Sequence, residues 1–148
     1  MTGHLIAGHR WVDDDIAAIL RATKRIALVG ASPRPERASH QVMRFLLARG
    51  YDVVPVNPGQ VGRLLLGRSV AAGLADAAPL DMVDIFRASE HVAPLVDEAI
   101  RLGARTVWMQ LGVIDPEAAG RARAAGLAVV MDRCPVIEWH RLGWRSEG

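Results

Sequence analysis

Cysteine is almost absent from this chain of 148 residues. Cys134 stands alone, so no intramolecular disulfide and no cysteine-based zinc site can form. Long apolar runs are missing as well. No segment approaches the ~18–20 uninterrupted residues of a membrane helix, and His4, His9, Arg10 and Asp13 interrupt any signal-like stretch at the start. No membrane partner is expected, and cytoplasmic residence is the default expectation. Lysine is scarce too: of 18 basic residues only Lys24 is not an arginine. Acids lie between the arginines and the net charge is +2, which lacks the clustered basic stripe of a nucleic-acid binder. The five histidines (His4, His9, His40, His91, His140) are scattered, with no pair at metal-ligand spacing. No metal site is expected, and no catalytic residue can be assigned, since Ser32 has no base at a predictable distance.

Apolar residues are plentiful. The chain is 51% hydrophobic and 23% charged, the balance of a compact globular protein. A length of this order suits one domain covering 1–148, with 1–24 as an N-terminal helical segment packed on it. Five short apolar runs rich in β-branched residues occupy 26–29, 52–56, 82–86, 106–109 and 127–131. Most are separated by helix-period segments. Near-continuous apolar strands alternating with helices predict a parallel sheet covered on both faces. The fold expected is α/β, a three-layer doubly wound Rossmann-like sheet of five main strands plus a short edge strand near Ser69-Val70.

Local signals place the helices. Val42, Phe45, Leu46 and Arg49 follow the i, i+3, i+4, i+7 spacing before Gly50. Leu95, Val96, Ala99, Ile100 and Leu102 form the next stripe before Gly103, with Pro94 in the first turn. Asp115-Pro116-Glu117 reads as an N-cap, a proline at the first helical position and an acid at the positive end. Ile16, Ile19 and Leu20 give an earlier helix one apolar face. Gly50, Gly103 and Gly126 each stand shortly before a strand, as left-handed helix stops do. The glycine-rich stretch 59–79 reads as a loop with a short helical turn near 71–75.

In a doubly wound sheet the ligand lies beyond the carboxyl ends of the strands. The segments to read are therefore 30–39, Asn57-Pro58, Arg87-Ala88-Ser89, Gln110-Leu111-Gly112 and Asp132-Arg133-Cys134-Pro135. The first is the most informative. Gly30 permits a tight turn, and the amides after it and the helix N-terminus can bind phosphate. Ser32 adds a hydroxyl donor, and Arg34 and Arg37 add guanidinium forks suited to phosphate oxygens. The dinucleotide fingerprint is missing, because 30–35 holds one glycine and two prolines. The second strand closes on Pro55-Val56-Asn57-Pro58, with no acid for ribose hydroxyls. An NAD(P)-dependent oxidoreductase is thus the weaker alternative, and a Walker loop is excluded because no Gly-Lys-Ser/Thr occurs.

Val29-Gly30-Ala31-Ser32 with Pro35, Arg37 and Ser39, then Gly50-Tyr51 and Pro55-Val56-Asn57-Pro58, resemble the stand-alone CoA-binding domain proteins of bacteria and archaea. Val83-Asp84-Ile85-Phe86-Arg87, Trp108, Gln110, Gly112-Val113 and Asp132-Arg133-Cys134-Pro135 with Glu138 continue the resemblance over about 15–143. That family is similar in fold to the N-terminal domain of the succinyl-CoA synthetase alpha subunit. The resemblance implies non-covalent binding of coenzyme A or an acyl-CoA across the strand ends, without catalysis of its own. It implies phosphates at Gly30, Ala31, Ser32 and Arg37, adenosine beside Asn57-Pro58, and a diphosphate-to-pantetheine path along Phe86-Arg87 and Gln110–Gly112. Arg34 joins the phosphate set, and Arg63 is a weaker candidate. The alpha-subunit likeness also allows an accessory module whose CoA occupancy regulates a protein partner.

The remaining suggestive residues have plainer readings. Cys134, on the same rim, is a small buried residue or a thiol able to meet the CoA sulfur, with Arg133 favouring its thiolate. His40 is expected on a helix surface. Asp81 and Asp84 are expected to hydrogen-bond neighbouring backbone rather than act as acids. Trp108 is expected in the core, and Trp11, Trp139 and Trp144 to cover a sheet face or a homodimer contact.

Overall fold

The computed structural model describes residues 13–144; Trp11, His4, His9, Arg10 and the first half of the expected N-terminal segment lie outside the described residues. Five strands form one parallel sheet: β1 (Arg25–Val29), β2 (Asp52–Val56), β5 (Met82–Ile85), β6 (Thr106–Met109) and β7 (Ala128–Val130). Their order is β2-β1-β5-β6-β7. The chain thus winds outward from β1 in both directions, and the order reverses between β1 and β5. The short strands β3 (Leu64–Leu65) and β4 (Arg68–Ser69) form a separate antiparallel pair. The helices are α1 (Asp13–Ala22), α2 (Ala38–Ala48), α3 (Val92–Arg101), α4 (Pro116–Ala124) and α5 (Pro135–Arg141).

Side-chain alternation divides the core into two layers. Ala27, Val29, Val83, Ile85, Val107 and Met109 face α3 and α4, meeting Val96, Ala99, Ala118 and Ala122. Ile26, Leu28, Val53, Met82, Trp108 and Val130 face the other way, meeting Ile16 and Leu20 of α1 and Val42, Met43 and Leu46 of α2. Both faces are apolar because both are covered, which is why the strands read as continuous hydrophobic runs. Pro55 is tolerated in β2 because that strand is the sheet edge.

α2, α3 and α4 stop in the same way. In α2, Tyr51 N–H reaches Leu46 O (3.2 Å) and Gly50 N–H reaches Leu47 O (3.0 Å). Ala104 to Ala99 with Gly103 to Ile100, and Leu127 to Ala122 with Gly126 to Arg123, repeat the pattern. Each glycine has positive φ, between 78° and 93°. This Schellman closure satisfies the last carbonyls and turns the chain straight into the next strand. At the start of α4, Asp115 Oδ1 accepts the Ala118 N–H at 3.0 Å, with Pro116 in the first turn.

Three expectations change. The edge strand near Ser69-Val70 is half of the β3–β4 pair; its return to the sheet is one bridge, Val56 to Ala71. The helical turn expected at 71–75 is a 3-10 turn at Leu74–Ala77. The helix α5 was not expected; its signals are Pro135 in the first turn and Glu138 behind it. Trp108 is fully buried, and its Nε1 donates to Arg133 O at 2.8 Å, tying α5's approach loop to β6.

Candidate functional site

A cleft of about 790 Å³ opens at the carboxyl ends of β1, β2, β5 and β6. It sits over the reversal of strand order between β1 and β5, where adjacent loops diverge to opposite faces and leave a crevice. Gly30, Ala31, Ser32, Arg34, Arg37, Asn57, Pro58, Phe86, Arg87 and Gln110 all line it. Gly112 and Cys134 do not: Leu111 and Val113 reach the wall on either side of Gly112, and Cys134 lies in a neighbouring groove. Residues that sequence reasoning did not assign also contribute, among them Pro33, Ala38, Ser39 and Gln60. Ser39 could have been found from its place in the first turn of α2.

Gly30 is required twice over. Its φ is +90°, and a Cβ there would lie 2.2 Å from Phe86 O. The β1 and β5 loops therefore touch backbone to backbone, which fixes the floor of the cleft. The amides around this turn are largely engaged already. Gly30 and Ala31 N–H donate to Val56 O, Ser32 N–H to Ser39 Oγ (3.1 Å), and Arg34 N–H to Ser32 Oγ (3.1 Å). Of the amides expected to bind phosphate, those directly after Gly30 are occupied by the chain's own acceptors. Open donors lie instead at the start of α2, where Arg37 provides no side-chain cap and the Ala38 and Ser39 amides have no acceptor. The Ser32 hydroxyl keeps its own proton to donate while its oxygen accepts.

Charge is one-sided. Arg34, Arg37 and Arg87 line the cleft, no carboxylate does, and none of the three has an ion-pair or hydrogen-bond partner for its guanidinium. Two acids, Asp52 and Asp81, lie at the opposite end of the sheet, where the strands begin. Asp52, at the start of β2, is bound by Arg25 (2.8 Å) and by Arg68. Burial works to raise its pKa, but the hydrogen bonds and charges of Arg68 and Arg25 outweigh that and hold it below the usual carboxylate value. Asp81 accepts the Arg25 and Lys24 amides, each at 2.9 Å, which lowers its pKa against a smaller effect of burial.

Second-line contacts hold the rim. Asn57 Nδ2 donates to Ala31 O (2.7 Å) and its Oδ1 accepts the Gly59 amide (2.9 Å), so it staples the end of β2 to the β1 loop. Ser89 Oγ donates to Gly112 O (3.3 Å) and accepts the Ile114 amide (2.9 Å); Asp132 Oδ1 accepts the Gly112 amide at 2.7 Å. Arg63 lines a smaller cavity of about 120 Å³ that shares Pro33 and Gln60 with the cleft, and its Nη1 donates to Gln60 Oε1 at 3.0 Å.

Two buried polar groups stand out. Gln110 is 5% exposed, lines the cleft, and its Oε1 has no partner. A buried acceptor without a donor is costly; the residue lies in the wall of the cleft, but this oxygen is itself sealed from solvent. Asp84 is fully buried with neither oxygen bonded, which corrects its expected backbone role; burial raises its pKa well above the ordinary value. His40 is 7% exposed rather than on the surface, 3.3 Å from Arg44 Nη2, and does not line the cleft. Arg133 Nη1 lies 3.3 Å from Glu138 Oε1, so that guanidinium is drawn to the buried carboxylate of α5.

Residues 24–140 match the CoA binding domain family. The chain belongs to that family. A curated relative, YneT of Bacillus subtilis (strain 168), is 36% identical over 120 residues, 81% of this chain and 88% of its own length. A solved protein of Pyrococcus horikoshii OT3 is 42% identical with a TM-score of 0.84, covering 89% of this chain and 92% of the other. One from Thermus thermophilus is 38% identical with a TM-score of 0.84, covering 89% and 99%. Membership in the CoA binding domain family supports coenzyme A binding in general. No helix among the described residues is long and apolar enough to cross a membrane, and no cluster there could hold a metal ion.

Proposed function

We propose that this chain binds coenzyme A, free or acylated, non-covalently in the cleft and performs no chemistry on it. The observation that carries the reading is the set of three unpartnered arginines in an acid-free cleft over the strand-order reversal. Coenzyme A bears a diphosphate and a 3′-phosphate, and guanidinium forks are the side chains best matched to such oxygens. Arg34, Arg37 and the open amides at the start of α2 would hold phosphate. Arg87 and Gln110 would follow the pantetheine arm. Asn57 and Pro58 would border the adenosine.

The absence of catalysis is argued from the lining itself. Its polar side chains are serine, asparagine, glutamine and arginine, none of which serves readily as a proton-transfer group near neutrality. A nicotinamide dinucleotide fits less well, because Asn57 stands where the ribose-binding acid would be and both of its amide atoms are engaged.

Calorimetry with coenzyme A, dephospho-coenzyme A and NAD tests the reading. Coenzyme A is expected to bind most tightly, with roughly tenfold or more lost on removal of the 3′-phosphate and NAD weaker still. Equal affinity for NAD and coenzyme A, or no binding of coenzyme A, would overturn it.

A further inference from the structure

Beyond the carboxyl end of β6, two loops grip one glycine. Asp132, just after β7, has a φ of +63° and is one of two non-glycine residues among the described ones in the left-handed region. Glycine adopts that conformation freely, and an L side chain does so at a cost. From there Asp132 Oδ1 accepts the Gly112 N–H at 2.7 Å. From the β5–α3 connection, Ser89 Oγ donates to Gly112 O (3.3 Å) and accepts the Ile114 N–H (2.9 Å). Gly112 itself has a φ of +81°, and the Val113 N–H closes the turn onto Gln110 O at 2.8 Å. Both backbone polar groups of Gly112 are thus held by side chains of other loops. Asp132, Ser89 and Gly112 do not line the cleft, whereas Gln110, Leu111 and Val113 do. The 110–113 turn is a cleft wall fastened by residues outside the cleft.

We infer that Asp132 is a positioning residue for ligand binding: its carboxylate fixes the 110–113 turn in the shape that receives the pantetheine arm, without touching that arm. The inference rests on the coenzyme A reading above and adds a residue which that reading leaves out. Two properties carry it. The backbone at position 132 suits glycine better than aspartate, so what aspartate adds is its side-chain acceptor, and that acceptor is spent on Gly112. A negative charge is also not what a rim for a polyanion calls for, which leaves the hydrogen bond as the carboxylate's contribution. The turn, for its part, needs an external hold. Leu111 is 56% exposed, and Gly112 has the widest conformational range of any residue type. A turn ordered only on binding loses affinity to that ordering, and one ordered beforehand does not.

The test compares the wild-type chain with Asp132→Gly and Asp132→Asn. Calorimetry reads the affinity for coenzyme A and for adenosine 3′,5′-bisphosphate, which lacks the pantetheine arm. Urea unfolding reads the stability of the free chain, and amide hydrogen exchange reads the Gly112 N–H. Asp132→Gly keeps the left-handed backbone and removes the acceptor. It is expected to leave the unfolding midpoint unchanged or higher, to speed Gly112 exchange roughly tenfold, and to weaken coenzyme A roughly tenfold. Its affinity for the bisphosphate is expected to match wild type, because the turn serves the arm. Asp132→Asn keeps an oxygen acceptor in a residue that tolerates this backbone. It is expected to restore coenzyme A affinity to within about threefold of wild type.

Coenzyme A bound equally well by Asp132→Gly and wild type overturns the positioning role and leaves the cleft reading intact. Failure of the wild-type chain to bind coenzyme A overturns both. A lower unfolding midpoint in Asp132→Gly, with coenzyme A and the bisphosphate weakened alike, makes Asp132 a residue of the fold only and also overturns it. A loss in Asp132→Asn as large as in Asp132→Gly would make charge the operative property and overturn the hydrogen-bond account.

Discussion

At the scale of single residues, Asp84 and Gln110 show how burial gives polar atoms different roles. Both are buried with an oxygen lacking a partner. Gln110 lies in the wall of the cleft, with that oxygen sealed from solvent. Asp84 pairs in register with Leu28 and Trp108 inside the sheet, and both of its carboxyl oxygens are buried without a hydrogen bond. Its raised pKa means the folded chain holds a proton that the unfolded chain releases above about pH 4. That contribution to stability is fully present below the unfolded pKa and declines as pH rises toward the folded one. Asp52 and Asp81 act with the opposite sign, losing their contribution as pH falls, because their folded pKa values are lowered. Subtracting the two proteins isolates Asp84. In urea unfolding across pH 4–8, the stability of Asp84→Asn relative to wild type should rise with pH. The rise should approach about 1.4 kcal/mol per unit until the folded pKa is reached. A flat difference would show that Asp84 is ionised in the native state.

At the scale of elements, the site depends on loops fastened to one another. Asn57 joins the end of β2 to the β1 loop through Nδ2 and holds its own turn through Oδ1, and the Ser32–Ser39 contact joins that loop to α2. Asn57→Ala should therefore cost about 1–3 kcal/mol of unfolding free energy and weaken coenzyme A roughly tenfold, as measured by urea titration and calorimetry. By contrast, Arg37 is exposed and has no partner. Arg37→Ala should leave the ligand-free unfolding midpoint within about 0.5 kcal/mol of wild type and still lower coenzyme A affinity about tenfold. If Arg37→Ala destabilised the free chain as much as Asn57→Ala does, the distinction between binding and fastening would fail.

Elements also show what periodicity can convey. The helices before Gly50 and Gly103 are legible because stripe and glycine stop agree, and the helix before Gly126 because cap and glycine stop agree. α5 carries only seven residues and one strong start signal, Cys134-Pro135, too short a stretch for a repeating stripe. The β3–β4 pair has two residues in each strand and shows only as glycine-rich sequence.

At the scale of the molecule, charge is sorted by the sheet. The chain as a whole has a formal charge of +2, a value that suggests no strong attraction to anions. Yet Asp52 and Asp81 lie paired at the edge where the strands begin, while Arg34, Arg37 and Arg87 meet unpaired where they end. The local field at the cleft is therefore far more positive than the total implies. Coenzyme A affinity should fall about tenfold between low salt and roughly 0.5 M salt, because exposed charges are screened over a few ångströms there. A salt-independent affinity measured by calorimetry would shift the recognition from the arginines to the uncharged lining.

Local sequence determined the alternation of apolar strands and capped helices, the tight turn that Gly30 permits, and the absence of an acid after the second strand. Those depend on interactions within a few residues, or on a residue's own conformational range. The tertiary structure alone decided which loop amides were already engaged, that Arg34, Arg37 and Arg87 converge without an acid among them, and that Cys134 faces a groove beside the cleft. Those outcomes depend on which strands become neighbours, and strand pairing joins residues far apart in sequence whose mutual approach no local pattern encodes.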